Sequence, residues 1–348
     1  MIAMKIGLLS TPFFGVPPLS YGGAELITYN LWKGLAARGH KIVCFSPDPS
    51  TTPPGGYHHS TGKAIYDTNV DWVATEREMW MKCDPYFDNF DIILGSNWMG
   101  FEYQSKVRNP KLNVAHVHHG GMAPNWWNRS KPPFKTNLIA ISRHMKDVYK
   151  TQHGYESQVA YNGIDLGLYK FKKEKSDRFL FLGRISQIKG PHLALECAAK
   201  TGIKLDVVGA TRFVDDPKYV ERVDDMCVEV GAKFVGEVDN STKAKYLENA
   251  KALLVCSQFS EPFGLMNVEA LASGTPVIAL RDGAIPEIVE HGKSGFICDN
   301  VNEMAEYVKR VDEIDPSACY ERSKLFSLER MAERYEELLS QAVAGFNW

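Results

Sequence analysis

One order of elements begins twice in this chain, and that repetition limits the fold more than any single motif. Lys5–Ser10 is an apolar run that reads as a strand. A long Gly/Pro loop follows through Gly23, then a helix over Ala24–Arg38 and a strand over Lys41–Phe45. Ile27, Leu31 and Leu35 recur every four residues on one helix face, and Gly39 stops the helix. The scheme returns at residue 178: Arg178–Leu182 is a strand, Gly183–Gly190 a loop, Pro191–Lys200 a helix with proline at its first position, and Leu205–Val208 a strand. Two β-loop-α-β openings imply two doubly wound α/β domains. Their expected limits are 1–169 and 170–327, with the break in the charged segment Lys170–Asp177. A last helix, Leu328–Ala344, carries apolar residues at 328, 331, 335, 338, 339 and 343. It is amphipathic with no domain of its own, so residues 328–348 are expected to pack back on the first domain. Residues 47–63 and 122–135 read as exposed loops.

A length of 348 residues suits two such domains, and 44% apolar with 24% charged residues is a globular composition. With 40 basic against 42 acidic side chains, no general nucleic-acid binder is indicated. Seven cysteines are scattered without a Cys-x-x-Cys pair, and most fall in apolar patterns and read as reduced core residues of a cytoplasmic protein. The N-terminus reads as a first strand rather than a signal peptide, and no apolar run approaches the roughly 20 residues of a membrane helix. The expectation is a soluble protein, or at most one attached to a membrane surface.

Chemistry is concentrated in Glu261-Pro262-Phe263-Gly264-Leu265-Met266-Asn267-Val268-Glu269, between the apolar runs Lys251–Cys256 and Thr275–Ala279. The order strand, loop, short helix, strand puts this polar loop at the carboxyl end of a parallel strand, where open α/β sheets bind ligands. Gly264 permits close backbone approach, and the N–H groups of the next turn can receive an anion. Glu269, one turn further, can accept from two neighbouring hydroxyls, as on a ribose. Together these describe a nucleotide-sugar site.

Further landmarks are Tyr21-Gly22-Gly23-Ala24-Glu25, Val117-His118-His119-Gly120, Tyr161-Asn162-Gly163-Ile164-Asp165, Gly183-Arg184-Ile185-Ser186-Gln187-Ile188-Lys189-Gly190 and Gly283-Ala284-Ile285-Pro286-Glu287. In this order, with the Glu-x₇-Glu segment, the chain resembles retaining glycosyltransferases of sequence family 4, over nearly its whole length. The resemblance implies the GT-B architecture, two Rossmann-like domains facing a central cleft. It implies transfer of a hexose from a nucleoside-diphosphate sugar (UDP-, GDP- or ADP-linked) to a hydroxyl acceptor. Arg184 and Lys189 would stabilise charge growing on the departing diphosphate. Glu269 would take the ribose hydroxyls and Glu261 hydroxyls of the transferred sugar. The backbone at Phe263, Gly264 and Leu265 would meet the sugar or distal phosphate. Gly183 and Gly209 would lie at the nucleotide, and Gly22 and Gly23 would let a loop of the first domain approach the diphosphate.

Each assignment has an ordinary competitor. An arbitrary Arg/Lys pair is usually two solvated surface charges. A lone Glu near a helix start is explained by the helix dipole, and a Gly-Gly pair by a flexible turn. His119 matches the family's donor-contacting histidine, but one residue of slip selects His118. His116 suits a core or hydrogen-bonded role, since no carboxylate or cysteine nearby in sequence completes a metal set. Trp126 and Trp127 could stack on an acceptor or pack beneath their own loop, and Asn97 is a third candidate acceptor contact. No Asp-x-Asp occurs anywhere, so metal-independent catalysis without a cofactor is expected, Arg184, Lys189 and helix N-termini supplying the positive charge. Two other readings stay open: an epimerase or phosphorylase on the same scaffold, and a non-catalytic nucleotide or glycan binder. Base, sugar, acceptor and oligomeric state are not encoded in any legible residue.

Overall fold

The computed structural model describes residues 3–19, 22–65, 70–120, 137–212 and 216–348. The chain divides into two compact units, Met1–Gly163 with Leu328–Trp348, and Ile164–Ser327. The division therefore falls at 163/164, not at the expected 169/170. The physical reason is that the chain ahead of the charged segment is already bonded into the second unit, with Tyr169 Oη donating to Glu269, and the charged segment continues that attachment. Lys172 Nζ donates to Asn249, and Lys175 Nζ donates to the carbonyls of Glu248 and Ser273 and to Thr275. Ile164 itself pairs with Ser327 and donates to the Phe326 carbonyl.

The first unit holds a seven-stranded sheet of β1 (Lys5–Leu9), β2 (Lys41–Asp48), β3 (Gly56–Lys63), β4 (Ile92–Gly95), β5 (Val114–His118), β6 (Leu138–Ala140) and β7 (Ser157–Val159). Its order is β3-β2-β1-β4-β5-β6-β7, and every pairing is parallel. Strand β3 corrects the reading of 47–63 as an exposed loop. Its Gly-Tyr-His-His-Ser-Thr-Gly-Lys sequence lacks apolar alternation because it is a largely solvated edge strand. Gly56 is required there: a Cβ would lie 2.1 Å from the Trp32 indole nitrogen. Helix α1 (Gly23–Ala37) buries Ile27, Leu31, Trp32 and Leu35. Helices α2 (Trp72–Cys83), capped by the Asp71 carboxylate on Val73 and Ala74, and α3 (Arg143–His153), capped by Ser142, complete the parts used below.

The second unit holds β8 (Arg178–Leu182), β9 (Lys204–Val208), β10 (Lys233–Gly236), β11 (Leu253–Val255), β12 (Val277–Leu280) and β13 (Gly295–Cys298), again all parallel, in the order β10-β9-β8-β11-β12-β13. Its longer helices are α4 (Pro191–Thr201), α5 (Pro217–Val230), α6 (Asn240–Asn249), α7 (Leu265–Ala272), α8 (Val301–Lys309) and α9 (Pro316–Ser323). Helix α10 (Leu328–Val343) belongs to the first unit and lies against α1. The contact is close enough that a Cβ on Gly34 would come within 2.7 Å of Ala332. Glu336 on α10 accepts from Arg38 Nε at 2.6 Å and meets His40 Nε2 at 3.1 Å.

In both sheets the chain winds outward in one direction and then restarts on the other side. That leaves a switch point between β1 and β4, and another between β8 and β11. Loops leaving neighbouring carboxyl ends diverge there, opening room for a ligand.

Candidate active site

At the second switch point the loops after β8 and β11 meet. Gly183 and Gly209 pack backbone to backbone, since a Cβ on Gly209 would fall 1.6 Å from the Gly183 carbonyl oxygen. Arg184, half-buried, follows Gly183; the tight turn Gln187–Lys189 then delivers Lys189. Gly190, at φ 69°, presses on the Cys256 carbonyl, where an added Cβ would sit at 2.1 Å. This contact fixes Lys189 beside the loop that leaves β11.

Lys189 Nζ donates to Glu261 Oε2 at 2.6 Å and lies 4.4 Å over the Phe259 ring; Ser257 Oγ adds a 3.2 Å bond to the same carboxylate oxygen. Glu261 is 6% exposed, so its charge needs this partner. Its backbone is clamped too: Ala284 N–H donates to the Glu261 carbonyl, and a Cβ on Gly283 would strike it at 2.2 Å. The Gly283-Ala284 motif is thus a buttress for Glu261. Phe263 is buried against Phe326, which leaves only its backbone for a ligand. Gly264, at φ 84°, is the N-cap of α7, and Leu265 is the first helical residue. Glu269 is buried one turn on, with its Oε1 accepting 2.7 Å bonds from Tyr169 Oη and from Lys243 Nζ. Burial rules out a solvated helix carboxylate at Glu269.

At the first switch point the donors and acceptors are of another kind. Gly22, at φ 146°, is the N-cap of α1 and Gly23 its first residue; a Cβ on Gly22 would lie 2.8 Å from Pro18. Glu25 on the same turn is buried and accepts from Thr11 Oγ1, and burial raises its carboxyl above the usual range. After β4, Ser96 Oγ is 2.7 Å from Thr28 Oγ1 and 2.9 Å from His119 Nε2. Thr28 spends its only proton on the Ala24 carbonyl, 2.9 Å away. Ser96 must then donate to Thr28 and accept from His119, which places the ring proton on Nε2 and leaves Nδ1 as an acceptor. Burial, helped by His118 and His116, drops the His119 pKa to about 3, so its ring is neutral at working pH.

The neighbouring histidines are occupied elsewhere. His116 Nδ1 meets Glu102 Oε1 at 2.6 Å with both side chains fully buried. His118 ends β5, buried edge-on against Tyr149 and Trp98. Only His119 stands past the strand end, half-buried. Asn97 is likewise used within the protein: Nδ2 donates to Glu102 and Oδ1 accepts from Gly100 N–H at 2.6 Å. It shapes the loop from inside and is itself buried. Glu76 on α2 braces the same loop, accepting from Trp98 N–H at 2.9 Å and Met99 N–H at 2.7 Å. Burial above all, with Glu102 and Glu25 adding, pushes Glu76 up to about 8. Trp126 and Trp127 lie outside the described residues.

Comparison with known proteins bears on this arrangement. The family described as Glycosyltransferase Family 4 matches residues 21–168, and that described as Glycosyl transferases group 1 matches 169–325. The chain belongs to the group 1 glycosyltransferases. It is 24% identical to spore coat protein SA of Bacillus subtilis, over 99% of this chain and 96% of that one. It is 25% identical to a glycogen synthase of Mycobacterium tuberculosis, over 92% and 89%. The structure of Anabaena HepE, solved with UDP-glucose, superposes with a TM-score of 0.75 at 19% identity, covering 97% of this chain and all of that one. The fold is GT-B, two Rossmann-like units.

Two residues of this glycosyltransferase escaped sequence reasoning, Tyr169 and Lys243. They lie 100 and 26 positions from Glu269, and neither stands in a motif. Among the described residues no three His, Cys, Asp or Glu side chains converge as a metal-ligand set, and no described helix is long and apolar enough to cross a membrane. All seven cysteines of the glycosyltransferase are buried free thiols.

Proposed function

We propose that this glycosyltransferase moves a hexose from a nucleoside-diphosphate sugar to a hydroxyl acceptor with retention of configuration. The observation that carries this reading is the set of residues at the second switch point: Lys189 on Glu261, Arg184 on the same loop, the N-terminus of α7, and Glu269 one turn on. HepE, which shares the fold, was solved with UDP-glucose, and that supports a sugar nucleotide as donor.

In this reading Arg184 and Lys189 bind the diphosphate and stabilise it more as the bond to the sugar breaks. Glu269 takes the ribose hydroxyls. Glu261 takes hydroxyls of the sugar, and its bond to Lys189 ties sugar and phosphate recognition together. Backbone N–H groups at Phe263, Gly264 and Leu265 complete the anion contacts. In the first unit Gly22 and Gly23 leave the N-terminus of α1 open to a phosphate, and His119, neutral with Nδ1 as acceptor, can accept a hydrogen bond from a sugar hydroxyl.

Retaining glycosidases place two carboxylates about 5–5.5 Å apart, one a nucleophile. Glu261 is already committed to Lys189 and Ser257, so front-face substitution is the proposed course. The bond from the anomeric carbon to the phosphate oxygen breaks, the acceptor oxygen bonds to the same face, and that phosphate oxygen takes the acceptor's proton. Fixed cations take the place of a divalent ion, so activity should survive EDTA. The buried thiols suit a reducing, cytoplasmic setting.

The test is thermal shift with UDP, GDP and ADP, followed by turnover of the matching sugar donors and NMR of the product anomer. Retained configuration with EDTA present is expected. An inverted product, a trapped glycosyl-enzyme, or nucleotide binding without turnover on a broad acceptor panel would overturn the proposal.

A further inference from the structure

The two oxygens of Glu269 are treated differently. Oε1 accepts from Tyr169 Oη and from Lys243 Nζ, each at 2.7 Å, which fills the two lone-pair positions of that oxygen. No described residue donates to Oε2. Tyr169 reaches the carboxylate from the start of the second unit and Lys243 from α6, so turning Glu269 about its last torsion would break two bonds, one of them to a cation. Glu269 is 3% exposed and Tyr169 8%, so water does not easily replace the Tyr169 donor. Burial, and then the neighbouring carboxylate, push the Tyr169 phenol far above its ordinary range; it remains an O–H donor at any working pH.

Resting on the ribose role proposed above for Glu269, we propose that Tyr169 and Lys243 are positioning residues. They fix the carboxylate so that its open oxygen, Oε2, is presented to the ribose hydroxyls, and they thereby set selectivity for ribonucleotide over deoxyribonucleotide donors. A carboxylate free to rotate would hold its acceptor lone pairs in no fixed direction, and would read the sugar loosely. The ammonium also makes Glu269 affordable in the empty site, because a buried carboxylate without a cation is strongly disfavoured.

The experiment is calorimetric titration of the full chain with whichever of UDP, GDP and ADP binds, and with its 2′-deoxy form. The wild type should favour the ribonucleotide by about tenfold or more, the scale of one hydrogen bond to a charged group. Tyr169→Phe and Lys243→Met should each weaken ribonucleotide binding, leave the deoxy form unchanged, and shrink the preference to about threefold or less. Melting curves check the fold, and Tyr169→Phe, which removes one oxygen atom, decides alone if Lys243→Met does not fold. Equal weakening toward both nucleotides, an undiminished preference in folded variants, or no preference in the wild type would overturn the proposal. Glu269→Ala separates the two levels. If it leaves ribonucleotide binding intact, the ribose role itself fails. If it abolishes the preference while Tyr169→Phe and Lys243→Met keep it, only the positioning role fails.

Discussion

The two switch points occupy the same place in two similar sheets, yet they solve the burial of polar groups in opposite ways. At the second, between β8 and β11, each buried carboxylate has a lysine: Glu261 with Lys189, Glu269 with Lys243. At the first, between β1 and β4, the buried carboxylates are held by hydroxyl, amide, imidazole and backbone donors: Glu25 by Thr11, Glu102 by Asn97 and His116, Glu76 by two backbone N–H groups. Topology selects where a ligand binds; it does not select the electrostatics. Fixed cations suit a site that must bind a diphosphate and stabilise its departure. A network of short-range donors suits a site that holds a neutral histidine and a rigid loop in place.

The largest effect should come from the charged side. Lys189→Ala removes the cation from the proposed leaving group and strands Glu261, so kcat should fall by about 10²–10³-fold, the cost seen for a lost oxyanion donor. Initial rates at saturating donor measure this, with a melting curve to confirm folding; a fall below tenfold would place Lys189 outside the reacting centre.

On the uncharged side, Glu76 should show itself in stability. The Glu76 carboxyl is raised from 4.5 to about 8 in the folded chain. Between those values the folded protein holds a proton that the unfolded chain has released, so the contribution of Glu76 to stability is greatest below about 4.5, then declines and is lost as pH climbs through 8. The slope is at most about 1.4 kcal/mol per pH unit for one group. Urea unfolding of the wild type against Glu76→Gln should show that decline reduced in the variant. Parallel curves would mean that Glu76 does not titrate in this window.

His119 sharpens the contrast further. Its pKa is lowered to about 3, so it does not gain a proton between pH 5 and 8. The kcat profile should therefore have no limb of its own near 6.5. A limb there that disappears in His119→Gln would contradict the neutral ring. The smallest effect belongs to the hydroxyl relay: Ser96→Ala frees the His119 ring, and a loss of about tenfold in kcat/KM is expected, near the value of one buried hydrogen bond. Nitrogen-15 NMR of the ring should show the Nε2–H form in the wild type and a mixture of tautomers in the variant.

The charged side was the more legible of the two. Lys189, Glu261 and Glu269 sit in contiguous motifs beside apolar strands, and the strand-loop-helix order alone places them at carboxyl ends. Their pairing was not legible, because nothing in a linear pattern says that Lys189 reaches Glu261 across 72 positions. Tyr169 and Lys243 were invisible for the same reason. On the other side, Asn97 reads as a candidate acceptor contact, and only its bonds to Glu102 and Gly100 reveal an internal role. Strand β3 escaped because an edge strand facing water has no apolar rhythm to detect. The unit boundary moved to 163/164 because Ile164 pairs with Ser327 and Tyr169 bonds Glu269, long-range partners that no linear pattern announces.

One titration tests the central claim, that the β8–β11 switch point is a nucleoside-diphosphate site held by paired cations. UDP, GDP and ADP are titrated by calorimetry into the wild type and into Lys189→Ala. Saturable binding of at least one nucleotide, weakened about tenfold or more in the variant, is the predicted result. Binding of none of the three, or binding that Lys189→Ala leaves unchanged, would contradict it.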